Sequence, residues 1–462
     1  MRPRPVLCVL VVGLTPALLK HMPRLSKLAA DGWQAPLTPP LPAVTCTSQA
    51  AFLTGTLPRG NGIVGNGWFF RDLGEVFLWR QSNALVQGPK VWDIARSVVP
   101  DYSVANVCWW YAMGAATDQV ITPRPVYHAD GRKSPDCYTV PPSLHDELER
   151  RFGTFPLFSY WGAKAGIKSS AWIGAAAEYV QGAHTPDLTL VYLPHLDYDL
   201  QRFGPDSPEA VRAAQEVDEV AGRLVENARA RDVEVVVVSE YGLEPADRPV
   251  DLNRELRRAG LLSVHTQVNG EHLDPHTSRA FAVADHQIAH VYVRDPRDVP
   301  AARSLIGGLE GVDVVLDEQG KRDTGLDHPR SGELVAVAAP GAWFTYRYWL
   351  DDTRAPDFAR TVEIHKKPGY DPAELFFDPA DPWVKGRAAL SLGKKLAGLR
   401  YSLDVVPLDP SCVKGTHGRL PSTPSAGPVV LCSDRSLARD AVGPTDVAQL
   451  LLDLGRVKGS FA

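Results

Sequence analysis

The chain has 462 residues, 44% of them apolar and 22% charged, with a formal net charge of −5. That composition excludes a disordered chain and leaves ample length for a large core, roughly three domains by length alone. The slight acidity gives no electrostatic reason to expect nucleic acid, and no segment is apolar and long enough to read as a membrane span.

Two arginines precede an apolar run at residues 6–12, the outline of a signal peptide, but no small-residue cleavage site follows cleanly. The run reads instead as a buried strand leading into a helix over about 16–30. Thr15 is its N-cap, Pro16 its first position and Gly32 its stop. Residues 40–67, PLPAVTCTSQAAFLTGTLPRGNGIVGNG, then run from a proline-rich loop into a small-residue helix. Thr45 stands at its start. Unpaired amides and the helix dipole there favour an oxyanion such as phosphate. A threonine so placed attacks phosphorus once something lowers its pKa, usually a metal. It also satisfies what a helix cap requires.

Residues 67–168 are rich in Trp, Tyr, Phe and Pro, and read as a cap inserted over the sheet or as ordinary aromatic packing. Residues 188–194 form a strand, followed by a charged helix over about 207–230. Residues 233–242, VEVVVVSEYG, set five valines around one glutamate, the pattern of a buried parallel strand. Strand, helix and strand at this spacing predict a parallel sheet covered on both faces. A second irregular stretch, 248–332, contains ADHQIAHVYV and predicts a smaller secondary sheet. GPTDVAQLLLDLG closes the chain as a helix starting near Thr445 or Asp446. Six cysteines (Cys8, Cys46, Cys108, Cys137, Cys412 and Cys432) lack metal or redox spacing. They read as free thiols in a reducing, cytoplasmic compartment.

In open α/β sheets, function gathers after the carboxyl ends of strands. There the sequence places His195, Asp197 and Asp199, then Glu240 and Tyr241, and late in the chain His417 in VKGTHGR. Carboxylates and imidazole hold a cation, and a cation ionises a hydroxyl. His286, between two apolar runs, and His365, in VEIHKKPGYDP beside Lys366 and Lys367, read either as turn residues or as ligands.

Together these motifs resemble the nucleotide pyrophosphatase/phosphodiesterase branch of the alkaline phosphatase superfamily. Thr45 precedes Thr54 and Gly55, and PRGNGIVGN, with Pro58, Asn61 and Asn66, is similar to that family's PxxHGIVGN. LDYDLQRFGP resembles its PDxxGHxxGP metal loop, Ser239 to Gly242 its SDHG loop, and Thr416 to Gly418 its late THG. The resemblance covers residues 1–70 and 185 onwards, and several strings look like those of a bacterial subgroup labelled only as alkaline phosphatase family. It implies one alkaline phosphatase-like catalytic domain over 1–462: α/β, with a mostly parallel central sheet and helices on both faces. It implies Thr45 as nucleophile, Asn66 as donor to a phosphoryl oxygen, and Asp197 and His417 as metal ligands.

The sequence departs from the family pattern at four positions. Val12 stands where the first strand should end in a metal-binding aspartate, Gln201 where the loop has histidine, and Glu240 and Tyr241 where it has Asp-His. The ligands left are Asp197, His417 and Glu240, for a divalent metal such as zinc, one rather than two, or none. A metal site rebuilt from Asp285, His286, His290 or His365 is an alternative. Two functions follow. The first is a phosphodiesterase or pyrophosphatase acting on a small phosphorylated substrate through a phospho-Thr45 intermediate. Glu240 is then ligand or base, and Gln201, Tyr241, Trp68, His286 and His365 contact the substrate. The second is a divergent member without the two-metal site that binds or transforms a phosphorylated metabolite in biosynthesis. Neither calls for nucleic acid or membrane, and the sequence sets no oligomeric state.

Overall fold

The computed structural model describes residues 3–129, 132–384, 386, 389–390, 393–394 and 404–461. The all-apolar runs seen in the sequence become the middle of an eight-stranded sheet. Its order is Trp33–Pro36, Val429–Cys432, Glu234–Val238, Val6–Val11, Leu188–Leu193, Val104–Val107, Gln119–Pro123, Cys137–Val140. The five strands from Glu234–Val238 to Gln119–Pro123 are mutually parallel, and the three outer strands pair antiparallel. Every residue of Val6–Val11 and Leu188–Leu193 is buried, as expected where helices cover both faces. The register sets Val11 opposite Leu193 and Leu10 opposite Val238. Three parallel strands therefore end at one level, and the loops carrying Val12, Asp197 and Glu240 leave from the same edge.

The first helix is interrupted. Pro16–Leu19 and Pro23–Asp31 replace the single helix expected over 16–30. Pro23 excludes helical backbone at Met22, which sits at φ −119° and ψ 80°, and a new helix starts on the proline. The stretch 67–168 also differs from a simple cap. Val104–Val107, Gln119–Pro123 and Cys137–Val140 belong to the main sheet, and the hairpin Gly67–Phe70/Glu75–Leu78 stands outside it. Those strands are short, and the aromatic residues around them, Trp109 to Tyr111 among them, masked their pattern in the sequence. Residues 130 and 131 lie outside the described residues.

Within and just beyond 248–332, four antiparallel strands form a second sheet: Ala280–Asp285, Ile288–Val293, Leu334–Ala338 and Val312–Leu316. Its first turn is a two-residue hairpin, with His286 at φ +57°. Hairpin turns of this length call for positive φ.

The helix Thr45–Thr54 is buried along all ten residues. Phe52 and Leu53 join the core of the main sheet, whereas Cys46 and Ala50 join the core of the second sheet. A helix held from both sides needs no polar face, which explains its run of small residues.

Candidate active site

Loops from several strands meet at the carboxyl edge of the main sheet. The first leaves strand Val6–Val11 through Gly13, at φ +73°. A Cβ there would come within 2.7 Å of Leu200, so the helix His195–Phe203 packs directly on this turn. That helix presents Asp197 and Gln201 one turn apart, on the same side. Gln201 Nε2 donates to Asp197 Oδ2 at 2.6 Å, and Tyr241 OH donates to Asp197 Oδ1 at 3.4 Å.

Thr45 sits one residue inside its helix, after Val44 as N-cap, with no capping bond from that residue. Its hydroxyl donates to Glu240 Oε1 at 2.8 Å and lies 3.4 Å from Tyr241 OH. The other Glu240 oxygen accepts from Gln49 Nε2 at 3.1 Å, and Ser48 Oγ donates to the Glu240 carbonyl at 3.1 Å. Asn66 acts as a cap from a distance. Its Oδ1 accepts from the Cys46 amide at 2.9 Å, while its backbone and side-chain N–H groups donate to the two oxygens of Asp285 at 3.1 and 3.2 Å.

On the far side of Tyr241 the polar network gives way to stacked rings. Tyr241 lies flat on His417, centroids 3.5 Å apart and planes 7° apart. His417 stands 3.8 Å from His286, which stacks on Tyr370 at 4.1 Å. Tyr370 OH donates to Gln201 Oε1 at 3.0 Å, and its ring meets Trp79 and Trp161 at 5.9 and 5.6 Å. His417 Nδ1 donates to the Ala43 carbonyl at 2.8 Å. His286 Nδ1 is buried without a partner. Three residues before Tyr370, Lys367 binds both Asp371 and Glu374 at 2.7 Å with its side chain 1% exposed, and Trp161 Nε1 donates to Glu374.

The site is dry. Thr45, Asn66, Asp197, Gln201, Glu240, Tyr241, His286 and His417 are all buried. Burial pushes Glu240 up to about 8 and Asp197 to about 7, partly offset by their hydrogen bonds. Burial pushes Asp285 up to about 7 and His417 down to about 3. His286 falls well below its ordinary value, by burial and then by its neighbour His417. Desolvation disfavours the charged form, so carboxyls rise and imidazoles fall together.

The structure thus brings together Thr45, Asn66, Asp197, Gln201, Glu240, Tyr241, His286 and His417. Two expected contacts stand apart from that network. Trp68 stacks on Phe70 beneath the Arg330 guanidinium, within the second core. His365 is half-buried and hydrogen-bonds the Leu78 backbone of the hairpin. His195 is tied to Glu216 at 2.8 Å. Sequence reasoning missed Gln49 and Tyr370. Gln49 lies four residues after Thr45, a helical spacing that points both side chains the same way. Tyr370 carried no such signal.

A profile describing type I phosphodiesterase / nucleotide pyrophosphatase matches residues 6–371. A curated relative, an uncharacterised pyrophosphatase/phosphodiesterase of Schizosaccharomyces pombe, is 26% identical over 229 residues. That match spans 48% of this chain and about two fifths, 41%, of the relative's length. Among solved structures, an inactive threonine-to-alanine form of murine ectonucleotide pyrophosphatase/phosphodiesterase 5, in complex with AMP, superposes with a TM-score of 0.60 at 15% identity. It covers 99% of this chain and 96% of that one. Phosphonoacetate hydrolase from Sinorhizobium meliloti 1021, in complex with phosphonoformate, gives 0.61 at 16% identity, covering 98% and 96%. These likenesses establish a shared fold.

Enzymes of the matched family use divalent metal ions, and the residues of this site do not fit a two-metal centre. Both oxygens of Asp197 and both of Glu240 are taken by protein donors. The Tyr241 ring covers the face of His417, and Val12 offers no donor. Among the described residues, one set of three His, Cys, Asp or Glu donors lies within 4.8 Å of one another. It is Asp136, Cys137 and His145, at the outer edge strand and the helix after it. The profile match covers most of the chain, which belongs to the type I phosphodiesterase / nucleotide pyrophosphatase family.

Proposed function

We propose that this member of the type I phosphodiesterase / nucleotide pyrophosphatase family cleaves a small phosphodiester or pyrophosphate by attack of Thr45. The observation that carries this is the 2.8 Å hydrogen bond from Thr45 Oγ to Glu240, at the start of a buried helix. Hydroxyl, base and helix dipole coincide there, which is what an activated nucleophile needs. The Thr45 oxygen forms a bond to phosphorus as the bond to the leaving oxygen breaks, and the hydroxyl proton passes to the ionised Glu240 carboxylate and from it to the departing oxygen. Water then attacks the phospho-threonine, giving a proton to Glu240, which passes it to the Thr45 oxygen as the bond from that oxygen to phosphorus breaks. Asn66, fixed by Asp285 and Cys46, is the donor to a non-bridging oxygen. His286, with its unpartnered nitrogen, and the rings of Tyr241 and Tyr370 face the bound substrate. By analogy, the murine structure whose threonine is replaced by alanine is described as inactive. Six free cysteines support a reducing, cytoplasmic setting, and no described helix is long and apolar enough to cross a membrane.

A second reading has its own support. Gln201 and Tyr241 stand in metal-ligand positions and tie Asp197 into the protein. That arrangement favours binding or transforming a phosphorylated metabolite without two-metal hydrolysis. Turnover of bis(4-nitrophenyl) phosphate by wild type and Thr45→Ala, alongside elemental analysis, separates the two. Turnover abolished by the substitution supports the first. An inert wild type without metal supports the second.

A further inference from the structure

We infer that Gln49 is a positioning residue that holds the Glu240 carboxylate against Thr45, so that the protein itself activates the nucleophile where relatives use a cation. This rests on the phosphoester reading above. The amide of Gln49 is completely buried, and both of its ends are used. Its Oε1 accepts from the Trp110 backbone N–H at 2.8 Å. A backbone N–H can only donate, so the amide has one orientation and its NH2 must face outward from Trp110. That group meets Glu240 Oε2 at 3.1 Å, leaving Oε1 for Thr45 at 2.8 Å.

The anchor is rigid at both ends. Trp110 follows the parallel strand Val104–Val107, and its neighbours Cys108 and Tyr111 hold left-handed backbone at φ 65° and 59°. Such conformations persist where surrounding structure over-determines them, and they cluster at functional sites. At the other end, Ser48 Oγ grips the Glu240 carbonyl. Nucleophile, base and orienting amide form one chain, the arrangement that activates a hydroxyl by proton transfer. The donor set points the same way: each carboxylate oxygen that would ligate a cation already has a protein partner.

Gln49→Met keeps the volume and removes both hydrogen bonds. Kinetics with bis(4-nitrophenyl) phosphate should show kcat down about 10- to 100-fold with KM within about threefold, the signature of a lost positioning contact. Wild-type kcat should survive exhaustive dialysis against a chelator, and thermal melting should be unmoved by added zinc. The chelator arm uses only the native chain and stands even where Gln49→Met does not fold. Two results overturn the inference while leaving the phosphoester reading intact. In one, Gln49→Met keeps full kcat while Thr45→Ala is dead. In the other, chelation abolishes wild-type turnover and zinc restores it. Full activity in Thr45→Ala, or an inert wild type, removes the reading and the inference with it.

Discussion

The two halves of the buried centre are built from different materials. On one side of Tyr241, Thr45, Glu240, Gln49, Asn66 and Asp285 form a polar chain in which nearly every donor meets an acceptor. On the other side, His417, His286 and Tyr370 are stacked rings, with Asp197 and Gln201 closing the layer. The first half places a hydroxyl against a carboxylate. The second holds Asp197 and His417 by hydrogen bonds and ring stacking. One buried centre thus joins a hydrogen-bonded chain to a stack of rings.

Four perturbations test that contrast. Thr45→Ala strikes the polar half, and turnover should fall at least about 10³-fold, with no phospho-protein detected by intact mass. Val12→Asp puts a carboxylate at the end of the first strand, on the sheet edge that also carries Asp197 and Glu240. Val12 is fully buried, so an unpaired charge there should destabilise by about 3–5 kcal/mol in urea unfolding. Stabilisation of this variant by zinc would instead mean that the second half can serve as a ligand shell.

His290 probes the support beneath Asn66. Its Nε2 donates to the Val64 carbonyl in the Asn66 loop, and its Nδ1 accepts from the Gly332 amide. Burial pushes its pKa down to about 4. Because the folded value lies below the unfolded one, this contribution is fully present above about pH 6.5. It is lost as pH falls from about 6.5 toward 4, up to about 3 kcal/mol. Melting curves across that window should be steeper for wild type than for His290→Gln. Tyr370→Phe touches the stacked half most lightly. It removes one hydrogen bond to Gln201 and should cost about 1 kcal/mol while leaving the ring in place.

Much of this was legible in the sequence where a pattern was local. The runs that became Val6–Val11, Leu188–Leu193 and Glu234–Val238 announced a parallel sheet, and the loops after them carried Asp197 and Glu240. Thr45 showed itself by its position before a small-residue helix. What escaped was the set of partners. Gln49 to Trp110, Gln201 to Tyr370 and Tyr241 to His417 join residues 61, 169 and 176 positions apart. No periodicity reports a contact across such distances. The strands inside 67–168 escaped because four buried residues among many aromatics give too short a pattern to count.

Beside Tyr370 in the chain, Lys367 is an ammonium sealed between Asp371 and Glu374. Charges so deep are hardly screened by salt and are costly to separate, so this clasp does not loosen gradually.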